Sequence, residues 1–171
     1  MTTKKSYPDH GAIEAKRNGV ERSPEWPKAE KEHLAKQPAC VACKPGGAHK
    51  DEGLQVHHIF PFHYCVILGR PDLELDQRNL ITLCQKEEGR TGEDHHLLIG
   101  HLDDFKSSNL NVKKDATKTY YNMSEDQIKA SKVWQAEKKN KLKALDKMSQ
   151  KEKDDFKALM DSTFPLVHKT P

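Results

Sequence analysis

The chain has 171 residues, of which 35% are hydrophobic and 32% charged, with four cysteines and ten histidines. Its mean hydropathy is -0.91, too polar for a large apolar core. No apolar run nears the ~18 residues needed to cross a bilayer, and MTTKKSYPDHGAIEAKRNG lacks the apolar stretch of a secretory leader. These features predict a soluble, intracellular protein without a membrane partner, built as a small folded centre with exposed helices around it.

The net charge of +3 is unevenly spread. Residues 1–28 carry six basic and four acidic side chains, and residues 113–171 carry fourteen lysines and nine acidic side chains. The stretch between them is net acidic, yet it holds all four cysteines and eight of the ten histidines. Such a layout suits a centre that gains charge from bound cations while its flanks meet a polyanion.

In chain order, residues 1–22 show no apolar periodicity and read as a flexible N-terminal arm. Ser23 before Pro24 resembles an N-cap and first helical residue, opening a helix through about Gln37 with Trp26 and Leu34 available for packing. ACVACKPGG is a tight turn, LQVHHI a short strand, and NLITLC at 79–84 a second one. After the polar QKEEGRTGED, the segment HHLLIGHLDDF reads as a helix from about Asp94 to Phe105, completing a strand, loop, strand, helix unit. Beyond residue 112 the chain is helical in character. Ser124 with Gln127 and Ser149 with Glu152 form capping-box pairs, so helices are expected to start at 125 and 150. At about 100° per residue, Ile128, Trp134, Leu142, Leu145 and Met148 share one face of a helix running to 148. Lys129, Lys132, Lys139, Lys143 and Lys147 gather on another, either a solvated face or a contact for a phosphate backbone.

Cys40 and Cys43 have the CxxC spacing with which two thiolates grip one tetrahedral zinc ion. One such pair is half a site. Cys84, at the end of the second strand, and His95, at the start of the following helix, offer the other half, and a Cys₃His centre would replace part of the missing core. In an intracellular chain this is a better use of cysteines than disulfides, the alternative being buried inert thiols. Cys65, inside the apolar YCVILG, reads as a small hydrophobe. A second set remains: His57, His58, Asn79, His96 and, with less to assign it, His101. His10, His33, His49 and His168 read as structural or merely exposed.

The series CVAC, LQVHHIFPFH, LELDQRNLITLC and HHLLIGH, in that order, closely resembles the HNH endonucleases, specifically the zinc-bearing ββα-metal (His-Me finger) kind. The resemblance covers roughly 38–112. It implies a small α+β fold with a zinc-stabilised ββα-metal core and flanking helices: the arm at 1–22, the nuclease core with its leading helix at 23–112, and a Lys-rich helical extension at 113–171. By position, His57 and His96 correspond to ligands of the catalytic divalent metal (Mg²⁺, Mn²⁺, Ni²⁺ or Zn²⁺), His58 to the general base, and Asn79 to the residue that braces the loop bearing the histidines. Cys40, Cys43 and Cys84 correspond to structural zinc ligands. His95 stands where the family usually has a fourth cysteine, which would let His95 and His96 exchange roles. The spacing from Cys84 to His95 is also longer than is common in the family.

The implied activity is metal-dependent hydrolysis of DNA, leaving a 5′-phosphate and a 3′-hydroxyl. His63 and His101 are candidates for a phosphate or supporting contact, Lys132, Lys139 and Lys143 for the DNA backbone, and Glu74 and Asp76 either tune the site or cap their loop. The same frame also serves a catalytically silent zinc module that binds nucleic acid or protein, and a metal-dependent ribonuclease is a third reading.

Overall fold

The structure, a computed structural model, describes residues 9–45, 53–86 and 93–167. It is α+β, with two antiparallel strands wrapped by short helices. Strand β1 (Gly53–His58) pairs with β2 (Leu80–Gln85) in a register that sets His57 opposite Ile81 and His58 opposite Leu80. Both strands lie within one residue of their expected positions. Every residue of β2 is buried because both of its faces are covered. Leu80 packs with Trp26 and Ala29 of helix α2 (Trp26–Lys36), while Ile81, Leu83 and Cys84 join the main apolar cluster with Leu98, Ile99, Tyr120, Ile128 and Trp134.

Between the strands the chain forms helix α3 (Phe62–Ile67) and two 3₁₀ turns, Pro71–Glu74 and Gln77–Asn79. Asn79 holds this crossing together from a position with no solvent exposure. Its Oδ1 accepts from Phe60 N at 2.8 Å, and its Nδ2 donates to the carbonyls of Phe60 and Leu73, both at 3.0 Å. One side chain thus satisfies three buried main-chain groups at the point where β1 leaves its regular pleat. Asp76 caps the second turn by accepting from Arg78 N and pairs with the Arg78 guanidinium, a loop role. Cys65 is fully buried in the second apolar cluster, with burial pushing its thiol up to about 12, as befits a small hydrophobe.

Four elements depart from the sequence reading. Residues expected in the arm form helix α1 (His10–Arg17), capped by Asp9 and seated by Ala15 and Val20 against Phe62. Its apolar positions are too few to show periodicity, and its partner comes from α3. The leading helix starts at Trp26, not at Pro24, because Ser23 turns its hydroxyl to Glu25 N and gives its own N–H to the Glu74 carboxylate. In place of a helix to Phe105 there is one π-helical turn, His96–Gly100, after which Leu102 and Asp103 take positive φ and reverse the chain.

The helix expected from 125 to 148 breaks at Ser131, whose hydroxyl accepts from Trp134 N and restarts the chain. Helix α4 (Val112–Lys114) and its continuing π turn precede this region, which then forms α5 (Glu125–Ala130), α6 (Lys132–Lys139) and a 3₁₀ turn at Leu145–Lys147. Both capping boxes form, and Ile128, Trp134 and Leu145 are buried as expected, although they serve two different clusters. The single lysine arc is therefore not formed. Lys132 and Lys139 sit on α6, whereas Lys143 lies beyond it and pairs with Glu152 at 3.0 Å.

Helix α7 (Gln150–Thr163) is fastened by Arg70, which is 1% exposed. Its guanidinium donates to the carbonyls of Met160 and Phe164 and pairs with Asp72 and Asp161. Among the described residues no helix is long and apolar enough to cross a membrane. Replacing Arg70 with Met leaves the Phe164 carbonyl without its donor, the Met160 carbonyl with only the Phe164 N–H, and Asp72 and Asp161 without their ion pair, so urea unfolding is expected to show a loss of about 1–3 kcal/mol.

Candidate metal centres and the histidine cleft

Cys40 and Cys43 lie on the turn after α2, Cys84 near the end of β2, and His95 just before the π turn. The structure brings all four together, their donor atoms within 4.8 Å of one another. Cys43 Sγ is 3.9 Å from Cys84 Sγ, and His95 Nδ1 lies 3.7, 3.3 and 3.4 Å from the sulfurs of Cys40, Cys43 and Cys84. Tetrahedral zinc with bonds of about 2.3 Å to sulfur and about 2.0 Å to nitrogen requires edges of roughly 3.5–3.8 Å, so the set has the dimensions of a Cys₃His centre. His95 Nε2–H donates to the Met123 carbonyl at 2.8 Å, which fixes the tautomer and turns the Nδ1 lone pair toward the sulfurs. Hydrogen bonds from Cys43 and Cys84 hold the Cys40 thiol far below its ordinary value. Burial works against a charged His95, but hydrogen bonds with Cys40 and Cys43 override it and raise the imidazole to about 10. Ligation needs thiolates and a neutral imidazole, so metal binding at this cluster releases protons.

His96 points away from this cluster into a second one, so the two neighbouring histidines have separate roles. It meets His57, from the last turnless residues of β1, and His101; the three donor nitrogens again lie within 4.8 Å. His96 Nδ1–H donates to Gln85 Oε1 at 2.7 Å, and His101 Nδ1–H donates to the Ser107 carbonyl at 2.6 Å. Both acceptors are oxygens, so each ring keeps its Nε2 as a bare lone pair, and these face each other at 3.1 Å. His57 Nε2 is buried with no hydrogen-bond partner. Burial drives His57 and His96 well below their usual range and His101 to about 4, so all three rings are neutral near pH 7. The facing Nε2 lone pairs of His96 and His101 repel unless a cation sits between them, and the Nδ1 hydrogen bonds of these two rings are the kind that orient metal-binding histidines. The residues present therefore fit a divalent metal.

The π turn is what makes His101 a member. Residues five apart lie about 140° around an α-helix, whereas i→i+5 winding brings them back to one side. Gly100 is part of the same fit, since a Cβ there would stand 3.1 Å from His57 Cε1 and 3.2 Å from His57 Nδ1. The sequence reading left His101 intermediate and missed Gln85 and Gly100 altogether. The His-x₄-His spacing was the available signal for His101, but α-helical periodicity argued against it.

His58 faces a different part of the same cleft, which is also lined by Asp9, His10, Arg22, His63, Phe105 and Lys106. Its ring lies between Trp26, 4.7 Å away, and Phe62, 5.6 Å away, and its Nε2–H donates to the Glu74 carbonyl at 2.8 Å. That bond leaves Nδ1 as the free lone pair. Burial, then the Arg22 charge, lower His58 to about 3, so it too is neutral. The Glu74 carboxylate accepts from Ser23 N while its carbonyl fixes His58, so Glu74 both ties the loop and positions the ring. His63 lies on the cleft wall beside Tyr64, with burial lowering it to about 4. Of the histidines read as structural, His33 is buried between Gln37 and Gln77, and His10 stacks on Phe105. His49, His168 and most of the QKEEGRTGED segment lie outside the described residues.

Two outcomes are expected from these centres. Cys43→Ser lowers bound zinc, by elemental analysis, and the melting temperature together. Gly100→Ala displaces the His57 ring and weakens divalent-metal affinity at the histidine cluster about tenfold or more, read by calorimetric titration, while the zinc content of the Cys₃His centre is unchanged. Compared with protein-family models, curated proteins and solved structures, the chain matches none.

Proposed function

We propose that the protein is a metal-dependent DNA endonuclease of the HNH type, its strands and π turn forming the ββα-metal core. One observation carries the reading: an imidazole with a free Nδ1, His58, opens onto the same cleft as the converging ring nitrogens of His57, His96 and His101. The resemblance of the sequence motifs supports it further.

Phosphodiester hydrolysis needs an activated water and neutralisation of the charge that builds on the phosphoryl and leaving oxygens. A divalent cation, when bound by His57, His96 and His101, supplies that neutralisation. His58 takes the proton of the attacking water on Nδ1 while the Glu74 carbonyl holds its opposite nitrogen, which keeps the accepting lone pair aimed into the cleft. Asn79 is a positioning residue: it touches no reacting atom but fixes the main chain two residues after the base. Attack at phosphorus expels the 3′ oxygen, which takes up a proton from solvent, leaving a 5′-phosphate and a 3′-hydroxyl. Lys106 and Arg22 are the cations of a cleft that also carries Asp9 and Glu14, and they are the groups available to a phosphate backbone.

Supercoiled plasmid incubated with Mg²⁺, Mn²⁺ or Ni²⁺ is expected to be nicked by the wild type, and His58→Ala is expected to reduce the rate about 10²–10⁴-fold, the usual contribution of a general base. Plasmid left intact by both proteins would sink the enzyme reading in favour of a silent zinc module. Cleavage of RNA alone would move the substrate class.

A further inference from the structure

Arg22 lies in the segment joining α1 and α2, before the region of family resemblance. Its guanidinium lies against two aromatic rings, 4.4 Å from the Trp26 centroid and 4.1 Å from that of Phe62. These ring contacts restrain the cation while its N–H groups remain available for hydrogen bonding. Of these, Nε and Nη2 hold the Asp9 carboxylate, at 3.2 Å for Nε and at 2.7 and 2.8 Å for Nη2. The remaining Nη1 is buried without a hydrogen-bond partner, 3.8 Å from the Glu74 carboxylate. A planar fork of this kind accepts a phosphate as readily as a carboxylate. The two partners are unequally held, for the Arg22 side chain is 17% exposed and that of Asp9 44%.

The next residue closes the other end of the cleft. His10 stacks on Phe105 with centroids 3.7 Å apart and planes 8° from parallel, and Phe105 in turn touches the rings of His96 and His101. The first turn of α1 therefore bridges the cleft, from Arg22 beside His58 to the edge of the three-histidine cluster. A phosphodiester reaching both ends would meet Asp9 at the one cation already shaped to receive it.

We propose that Arg22 is an anion site for a phosphodiester and that Asp9 is its built-in competitor, a carboxylate that must leave before the phosphate can bind. The identity of the anion as a nucleic-acid phosphate rests on the endonuclease reading; the exchange at Arg22 does not. Displacing Asp9 also removes the cap on Ala12 N, so the first turn of α1 loosens as the ligand enters.

The test is titration of the full chain with inorganic phosphate at constant ionic strength, following binding by calorimetry and by the main-chain amide resonances of residues 9–12 and 22, which every variant retains. Asp9→Asn removes the charge while keeping a capping oxygen, and Asp9→Ser is a second uncharged cap should the first disturb folding. Both are expected to bind phosphate at least tenfold more tightly than the wild type, and adding Arg22→Gln is expected to abolish the gain. Equal affinity in wild type and both Asp9 variants, or a gain that survives Arg22→Gln, would overturn the proposal. Because the readout needs no cleavage, a gain in phosphate affinity with plasmid left intact sustains the anion site and removes the nuclease. Nicking by the wild type without any gain in the variants does the reverse.

Discussion

His95 and His96 are joined by one peptide bond and committed to different centres, and the rest of the core is arranged around that division. His95 must face Cys40, Cys43 and Cys84, so the turn after α2 and the end of β2 have to approach the π turn from one side. His96 must face His57 and His101, so the end of β1 has to approach from the other. The pairing of β1 with β2 puts Cys84 and His57 on the same small sheet, three registers apart, and so fixes both approaches at once. A chain this polar has few apolar contacts with which to hold such an arrangement. Metal coordination at the Cys₃His centre is worth about 10 kcal/mol or more in small zinc domains, enough to stand in for a missing core.

The two neighbouring histidines of β1 show how a strand can feed one cleft from both faces. His57 presses its ring against Gly100, while His58 turns toward Trp26 and Phe62. The strand ends at His58, and the Asn79 clamp on Phe60 controls the bend that follows. Nothing in the pleat has to be distorted for the two rings to open onto one space.

Much of this was legible from residue types and spacing. CxxC, Cys84 and His95 pointed to a tetrahedral centre because their types and spacing supply four donors, and both strands were marked by β-branched and apolar runs. Other features depended on contacts that no local pattern carries. The break at Ser131 arises because a serine hydroxyl competes for the Trp134 N–H, which helical periodicity does not register. Helix α1 is held by Phe62, some fifty residues on, so its own segment looked featureless. His101 stays an intermediate candidate in sequence because the π winding that brings it to His96 has no local signature, and Arg22 and Asp9 go unmarked because they precede the recognisable motif.

The π turn leaves its carbonyls to be satisfied from outside. Leu97 O accepts from the N–H groups of His101 and Asp103, Leu98 O from the Trp134 indole, Ile99 O from the Asn109 side chain and Gly100 O from the Asn109 main chain. A regular helix would export such bonds to its own next turn; here two of the four go to Asn109 and one to α6. The distance between His96 and His101 is thus set by residues that never approach the metal, in the manner of a bridge whose span is fixed by its abutments. Asn109 and Trp134, remote from the histidine nitrogens, thus help to govern the bite of the histidine cluster, together with the buried Leu98 and Ile99 that seat the turn.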